Sequence, residues 1–377
     1  MSSKNNFERL AMPGVQGLHP YLPGKPIEEL QRELGLSKIV KLASNENPLG
    51  ASPLAAAAAR EAISDVNLYP DDIGFSLRNA LARRYDVSAD HITLGSGSSD
   101  VIDMVARSFL GPGRNAVFSE YSFAMYPIYT QACGAESKVA AALTPGDPRM
   151  PYGHDLNAMA AAVDENTRVV FIANPNNPTR TWLSSEALES FLSQLPADII
   201  VVLDEAYTEY VEEEAYPDGL DWLTRFPNLI VTRTFSKIYG LAGLRVGYGI
   251  SNPALAALIN RVRHPFNVNS TALAAAEASL DDHDFIKRSI ESNRQGMQQL
   301  TEGFLDLGLL TIPSVGNFIC VEFPEAAGKV NAALLNKGVI VRPLANYQMP
   351  QHLRITVGSE EENQFFLSAL ASVKSTL

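Results

Sequence analysis

Cysteine is nearly absent from this 377-residue chain: only Cys133 and Cys320 occur, far apart and in no metal-ligand spacing. That excludes a disulfide framework, argues against a thiolate metal site and suits a reducing cytoplasm, with both thiols expected to pack as small buried hydrophobes. Positive charge is also in short supply, 30 Lys and Arg against 42 Asp and Glu. A net charge of -12 disfavours a nucleic-acid surface. No apolar run approaches the roughly 20 residues needed to span a bilayer. The polar start, MSSKNNFERLAMPG, lacks the apolar core of a secretion signal. There is no internal repeat, and the alanine run Leu54–Ala59 reads simply as helix. A soluble, cytoplasmic protein with neither membrane nor nucleic acid as partner is expected.

What is present is enough apolar material for a sizeable core, 46% of residues. The stretch Met1–Leu49 carries Pro13, Pro20, Pro23, Pro26 and Pro48, which predicts an extended arm, either reaching to a partner subunit or strapped over its own domain. From Ser52 onward, Ala- and Leu-rich helical stretches alternate with β-branched runs at His91–Leu94, Arg168–Ala173, Asp198–Leu203 and Asn228–Thr232. Continuous apolar strands are buried on both faces, so the class is α/β with a largely parallel sheet wrapped by helices. After a helical region at Asn260–Leu280 and a helix near Phe285–Leu307, strands are expected at Asn317–Glu322, Val339–Arg342 and His352–Val357, forming a small α+β domain. The predicted division is 1–50 for the arm and part of the small domain, 51–265 for a large ligand-binding domain and 266–377 for the small C-terminal domain.

Ligands of open parallel sheets collect beyond the carboxyl ends of the strands. After His91–Leu94 comes Gly95-Ser-Gly-Ser-Ser-Asp100 and then helical spacing, a cup whose Ser98 and Ser99 amides could hold phosphate, or a plain capped turn. After Arg168–Ala173 comes the turn Asn174-Pro-Asn-Asn-Pro-Thr179, able to fix an amide side chain. Asp204-Glu-Ala-Tyr207 places a carboxylate at the buried end of an apolar strand, where it needs a cationic or hydrogen-bonding partner. Arg233-Thr-Phe-Ser-Lys237 and Gly240–Arg245 supply phosphate donors in Ser236 and Arg245, and in Lys237 an amine able to form an imine with an aldehyde.

Together with Asn45-Glu-Asn-Pro48, these motifs appear in the order found in fold-type I aminotransferases, and the chain resembles that superfamily nearly end to end. Within it the chain is most similar to the histidinol-phosphate aminotransferases, through Leu18–Lys25, Lys41–Gly50, Tyr69-Pro-Asp71, Gly316-Asn-Phe318, Val341-Arg-Pro343 and Leu353–Gly358. The resemblance implies a fold with a large domain on a mostly parallel sheet and a small α+β domain. It implies pyridoxal 5'-phosphate as cofactor, a homodimer with shared sites, and ping-pong transamination between histidinol phosphate and 2-oxoglutarate in histidine biosynthesis. An aromatic amino acid aminotransferase would use the same residues, and a decarboxylase or lyase of the same fold is an alternative of a different reaction class.

By the same resemblance, Lys237 carries the cofactor, Asp204 pairs with its pyridine nitrogen, and Tyr207 and Asn177 bond its phenolic oxygen. Phe123 stacks on the ring where other members place Tyr. Ser98, Ser99, Ser236, Arg245 and the partner subunit's Tyr69 hold the phosphate. Substrate falls to Arg354, Arg342 and Tyr21, the last expected from the partner's arm; no metal is implied. The chain departs from the pattern at Arg180, where Gly is usual and where a need for positive φ would strain the turn, and at Ser96 and Ser99, where amide or acidic side chains are common.

Overall fold

The computed structural model describes residues 7–313, 315–323 and 327–375; the first six residues of the arm lie outside the described residues. Its strands in chain order are β1 (Val40–Lys41), β2 (Ile92–Gly95), β3 (Asn115–Ser119), β4 (Glu136–Ala140), β5 (Thr167–Ala173) and β6 (Ile200–Asp204). They continue as β7 (Leu229–Thr234), β8 (Gly247–Ser251), β9 (Phe318–Glu322), β10 (Val339–Ile340), β11 (Arg342–Pro343) and β12 (His352–Thr356).

A seven-stranded sheet runs in the order β2-β8-β7-β6-β5-β3-β4, parallel from β7 to β4, with β8 antiparallel to both its neighbours. Side chains alternate along a strand. Val169 and Phe171 of β5 therefore enter one apolar core, while Val170 and Ile172 enter the core on the other face. Burial on both faces explains why these strands read as unbroken apolar runs. Strands β3, β4 and β8 were not anticipated. In β8 the reason is Gly247 and Gly249: a Cβ on Gly247 would lie 2.3 Å from the Ser98 amide nitrogen, and one on Gly249 2.9 Å from Val101. Those glycines weaken the strand signal, and they let the helix Ser98–Phe109 seat against the sheet.

The smaller unit holds the antiparallel sheet β11-β12-β9 and the parallel pair β1-β10, packed on the helices His283–Asp306, Ala327–Asn336 and Glu360–Lys374 around a separate core that includes Phe304, Val321, Ile355 and Phe366. The strand expected over Val339–Arg342 is divided, its first half pairing with β1 and its second with β12. The helical region expected at Asn260–Leu280 is likewise broken into Pro253–Asn260 and Ser270–Leu280; between them Arg263 ion-pairs with Asp72 at 2.7 Å. Ala272, Ala275 and Ala276 of the later helix enter the core of the large sheet. A boundary at 265 thus falls ahead of a helix that packs with the large unit.

The arm is not wholly extended. Pro26 precedes a helix over Ile27–Leu34, which Gly35 ends at φ 66°. Its one buried residue, Leu30, packs with Ala43 and Ile340, tying the arm to the small unit. Among the described residues no helix is long and apolar enough to cross a membrane.

Candidate active site

The carboxyl ends of β5, β6 and β7 open into a cavity of about 330 Å³ closed on its far side by the arm and by β12. One end is built for an anion. Gly97, at φ 86°, turns the chain into the helix that begins at Ser98, and Ser98 and Ser99 line the cavity. A Cβ on Gly97 would lie 2.3 Å from Arg245 Nη2. Arg245, itself at φ 58°, donates from Nη1 to Ser236 Oγ at 3.1 Å and to the Ala242 carbonyl at 3.1 Å. Helix-end amides, a guanidinium and a hydroxyl make this an anion seat. The Ser96 amide and Asn267 both donate to Asp100 Oδ2, at 2.9 and 2.8 Å, fixing the turn.

The opposite end carries Asp204, the last residue of β6. Thr232 Oγ1 donates to its Oδ1 at 3.1 Å and Tyr126 Oη to its Oδ2 at 3.0 Å. Burial pushes this carboxyl up to about 6, opposed by those two hydrogen bonds and by the charge of Lys237. Lys237 lies between the ends, its Nζ donating to the Ser44 carbonyl at 3.1 Å and sitting 5.6 Å from the Tyr207 ring centre. Burial, and then the positive charges of Arg354 and Arg245, bring the amine down to about 7. At neutral pH much of it is the free base. Of the two charges, Arg354 contributes more than Arg245.

Around this axis the remaining residues divide. Asn45 Nδ2 donates to Tyr207 Oη at 2.9 Å, and burial pushes that phenol up to about 12. Asn177 Oδ1 accepts from Arg354 Nη1 at 2.5 Å, while Arg354 Nη2 donates to the Ala43 carbonyl at 2.7 Å and its guanidinium lies 5.3 Å from the Phe318 ring centre. Phe123 and Tyr21 also line the cavity, Tyr21 from the chain's own arm. Arg342, paired in register with Arg354, does not line it; it is buried behind Tyr21, 5.4 Å from that ring's centre, with Nε and Nη2 making no hydrogen bond. Tyr69 lies outside the cavity, 82% exposed and stacked on Phe266 at 4.5 Å.

Arg180 does adopt a positive φ, 63°, and its buried guanidinium donates from Nε to the Val315 carbonyl at 2.5 Å, so the large unit is tied to the small one where Gly would leave no side chain. Sequence reasoning missed Ser44, Thr232 and Tyr126 as neighbours of the central groups; for Tyr126 the signal available was its place three residues after Phe123. Among the described residues no cluster of three or more His, Cys, Asp or Glu could hold a metal ion.

Residues 37–370 match the family described as aminotransferase class I and II. The chain belongs to that family, and is a pyridoxal-phosphate-dependent aminotransferase of fold type I. Among its relatives, Histidinol-phosphate aminotransferase 2 of Pseudomonas fluorescens (strain Pf0-1) is 59% identical over 370 residues, covering 98% of each chain. Histidinol-phosphate aminotransferase 1 of Nitrosococcus oceani is 54% identical, covering 97% of each. The crystal structure of histidinol-phosphate aminotransferase from Sinorhizobium meliloti in complex with pyridoxal-5'-phosphate superposes with a TM-score of 0.87 at 28% identity, over 100% of this chain and 99% of that one.

Proposed function

We propose that this protein transfers the amino group of histidinol phosphate to 2-oxoglutarate, giving imidazole acetol phosphate and glutamate in histidine biosynthesis. The observation that carries the proposal is the meeting, in one cavity, of a lysine amine brought down to about 7, a buried carboxylate and a helix-end anion seat. The names of relatives at 59% and 54% identity support the choice of substrate.

Pyridoxal phosphate fits this donor set. Its phosphate suits the Ser98 and Ser99 amides with Ser236 and Arg245, its ring nitrogen suits Asp204, its phenolic oxygen suits Tyr207 and Asn177, and Phe123 offers a face to the ring. When bound, the cofactor supplies an aldehyde for the substrate amine and a protonated ring that withdraws electrons from the bond being broken.

The chain's own work is proton handling and orientation. Lys237 Nζ, about half of it neutral at pH 7, takes the proton from the substrate's amine-bearing carbon and returns it elsewhere. Asp204 in its anionic form keeps the ring nitrogen protonated. Asn45 holds the Tyr207 hydroxyl in place, and Thr356, bonded to Asn45 at 2.9 and 3.1 Å, links that arrangement to the small unit. Arg354, already aimed by Asn177 and Ala43, offers a planar fork to an acidic group of the substrate. Arg342, with two unbonded N–H groups behind Tyr21, supplies positive charge toward the phosphate or distal carboxylate.

The proposal includes a cytoplasmic homodimer. Leu54, Ile63, Val66, Leu68, Tyr69, Ile73 and Phe75 are all exposed within one short stretch of chain, an apolar surface that a second copy would cover. Tyr69 would then reach the partner's phosphate seat. The test is steady-state kinetics with both substrates varied: parallel double-reciprocal lines are expected, and converging lines would refute the scheme. Phenylalanine as the far better amino donor would reassign the substrate, and release of carbon dioxide in place of keto acid would reassign the reaction.

A further inference from the structure

Two carboxylates stand side by side at the buried end of β6, and the protein treats them differently. Glu205 is neutralised by a cation: Arg233 donates to its Oε2 from Nη2 at 2.7 Å and from Nε at 3.0 Å, and the Gly219 amide donates to Oε1 at 2.9 Å. Among the described residues, the Asp204 carboxylate accepts from neutral hydroxyls, Thr232 on one oxygen and Tyr126 on the other. A carboxylate oxygen has room for more than one donor. The hydroxyls therefore hold the group in place and favour its anion without cancelling its charge.

We propose that Tyr126 is a positioning residue, which fixes Asp204 as an anion aimed at the cofactor's ring nitrogen and ties it mechanically to Phe123. This rests on the cofactor placement given above. Tyr126 is fully buried in the helix Met125–Ala132. Its ring lies parallel to Phe171 at 4.9 Å, meets Phe123 edge-on at 5.7 Å and tilts against Phe118 at 6.4 Å. With its ring packed against three others, the hydroxyl donates to Asp204 Oδ2. Burial and the neighbouring carboxylate push the phenol well above its ordinary range, so it stays a donor throughout the working pH. One side chain thus packs against the group that faces the cofactor ring and bonds the group that faces its nitrogen. Thr232 supports the second oxygen from β7, the strand that leads to Lys237.

The test is the pH dependence of pyridoxal phosphate binding to the cofactor-free full chain, followed by fluorescence, for the wild type, Tyr126→Phe and Thr232→Val. Tyr126→Phe keeps the enclosed ring and removes only the donor. A hydrogen bond to a charged acceptor is worth enough to move its titration by about one pH unit. The acid limb of the binding curve should move up by about that amount in Tyr126→Phe, with affinity about fivefold weaker than wild type near pH 6, about tenfold weaker well below it, and the loss shrinking as pH rises. Thr232→Val should move the limb in the same direction. A loss equal at every pH would mean that the tyrosine acts through packing alone, and an unmoved curve that it does not act on Asp204; either overturns the proposal. If the wild type itself binds no pyridoxal phosphate, the underlying cofactor placement falls, a result distinct from wild-type binding with an unmoved variant.

Discussion

Asp204→Asn should be inactive, yet it should stabilise the cofactor-free protein at alkaline pH. The Asp204 carboxyl stands at about 6 in the folded chain against an ordinary 3.8, because burial outweighs the hydrogen bonds from Tyr126 and Thr232. A raised value means that the unfolded chain gives up this proton first. Stability from the group is whole below about pH 3.8, is lost as pH rises through about 6, and then stays level. The gap of about two units corresponds to roughly 3 kcal/mol, of which about 2 to 3 kcal/mol falls between pH 4 and pH 8. Asparagine does not titrate, so the variant escapes this loss. Urea unfolding of both cofactor-free proteins at pH 4 and pH 8 reads the effect as a difference of differences, which removes any pH-independent change in packing. Lys237, brought down to about 7, adds stability as pH climbs above that value, but it is present in both proteins. Added pyridoxal phosphate should stabilise the wild type far more than the variant. A stability difference that is the same at pH 4 and pH 8 would refute the reasoning.

Replacing Arg354 by Lys removes the planar fork held by Asn177 and Ala43, and should raise KM for the amino donor by between about 10- and 100-fold with a smaller change in kcat, read from initial rates. Mixing inactive Tyr69→Ala and Lys237→Ala chains should restore about a quarter of wild-type activity after subunit exchange, because half the dimers then hold one intact site. No recovery would place Tyr69 outside its partner's site. Gly97→Ala puts a methyl 2.3 Å from Arg245 Nη2 at a φ that disfavours it, and should weaken pyridoxal phosphate binding about tenfold or more in a fluorescence titration.

Strands β5, β6 and β7 are legible in the sequence because burial on both faces leaves a continuous apolar run, and their carboxyl ends point directly to Asn177, Asp204 and Lys237. Strand β8 is hidden by the glycines its neighbouring helix requires, and β4 by the exposure of an edge strand. The site is legible only where chemistry follows a strand. Asn45 meets Tyr207 across 162 residues, and Ser44 meets Lys237 across 193, contacts that exist only once the arm has packed. Tyr126 sits in an apolar helix and reads as core until Asp204 is placed beside its hydroxyl. The arm's helix was obscured by prolines that border it rather than break it, and Tyr21's place in its own chain's cavity depends on the path that helix sets.

The central claim is that one cavity, with Lys237 at its centre, takes an amino group from one substrate and holds it for the next. It is tested most directly by incubating the cofactor-loaded protein with histidinol phosphate alone, removing all small molecules, and then adding 2-oxoglutarate. The account predicts one equivalent of imidazole acetol phosphate per chain in the first step and one of glutamate in the second, with the cofactor's visible absorbance lost and then regained; Lys237→Ala should give neither product. Glutamate formed only when both substrates are present together would contradict it.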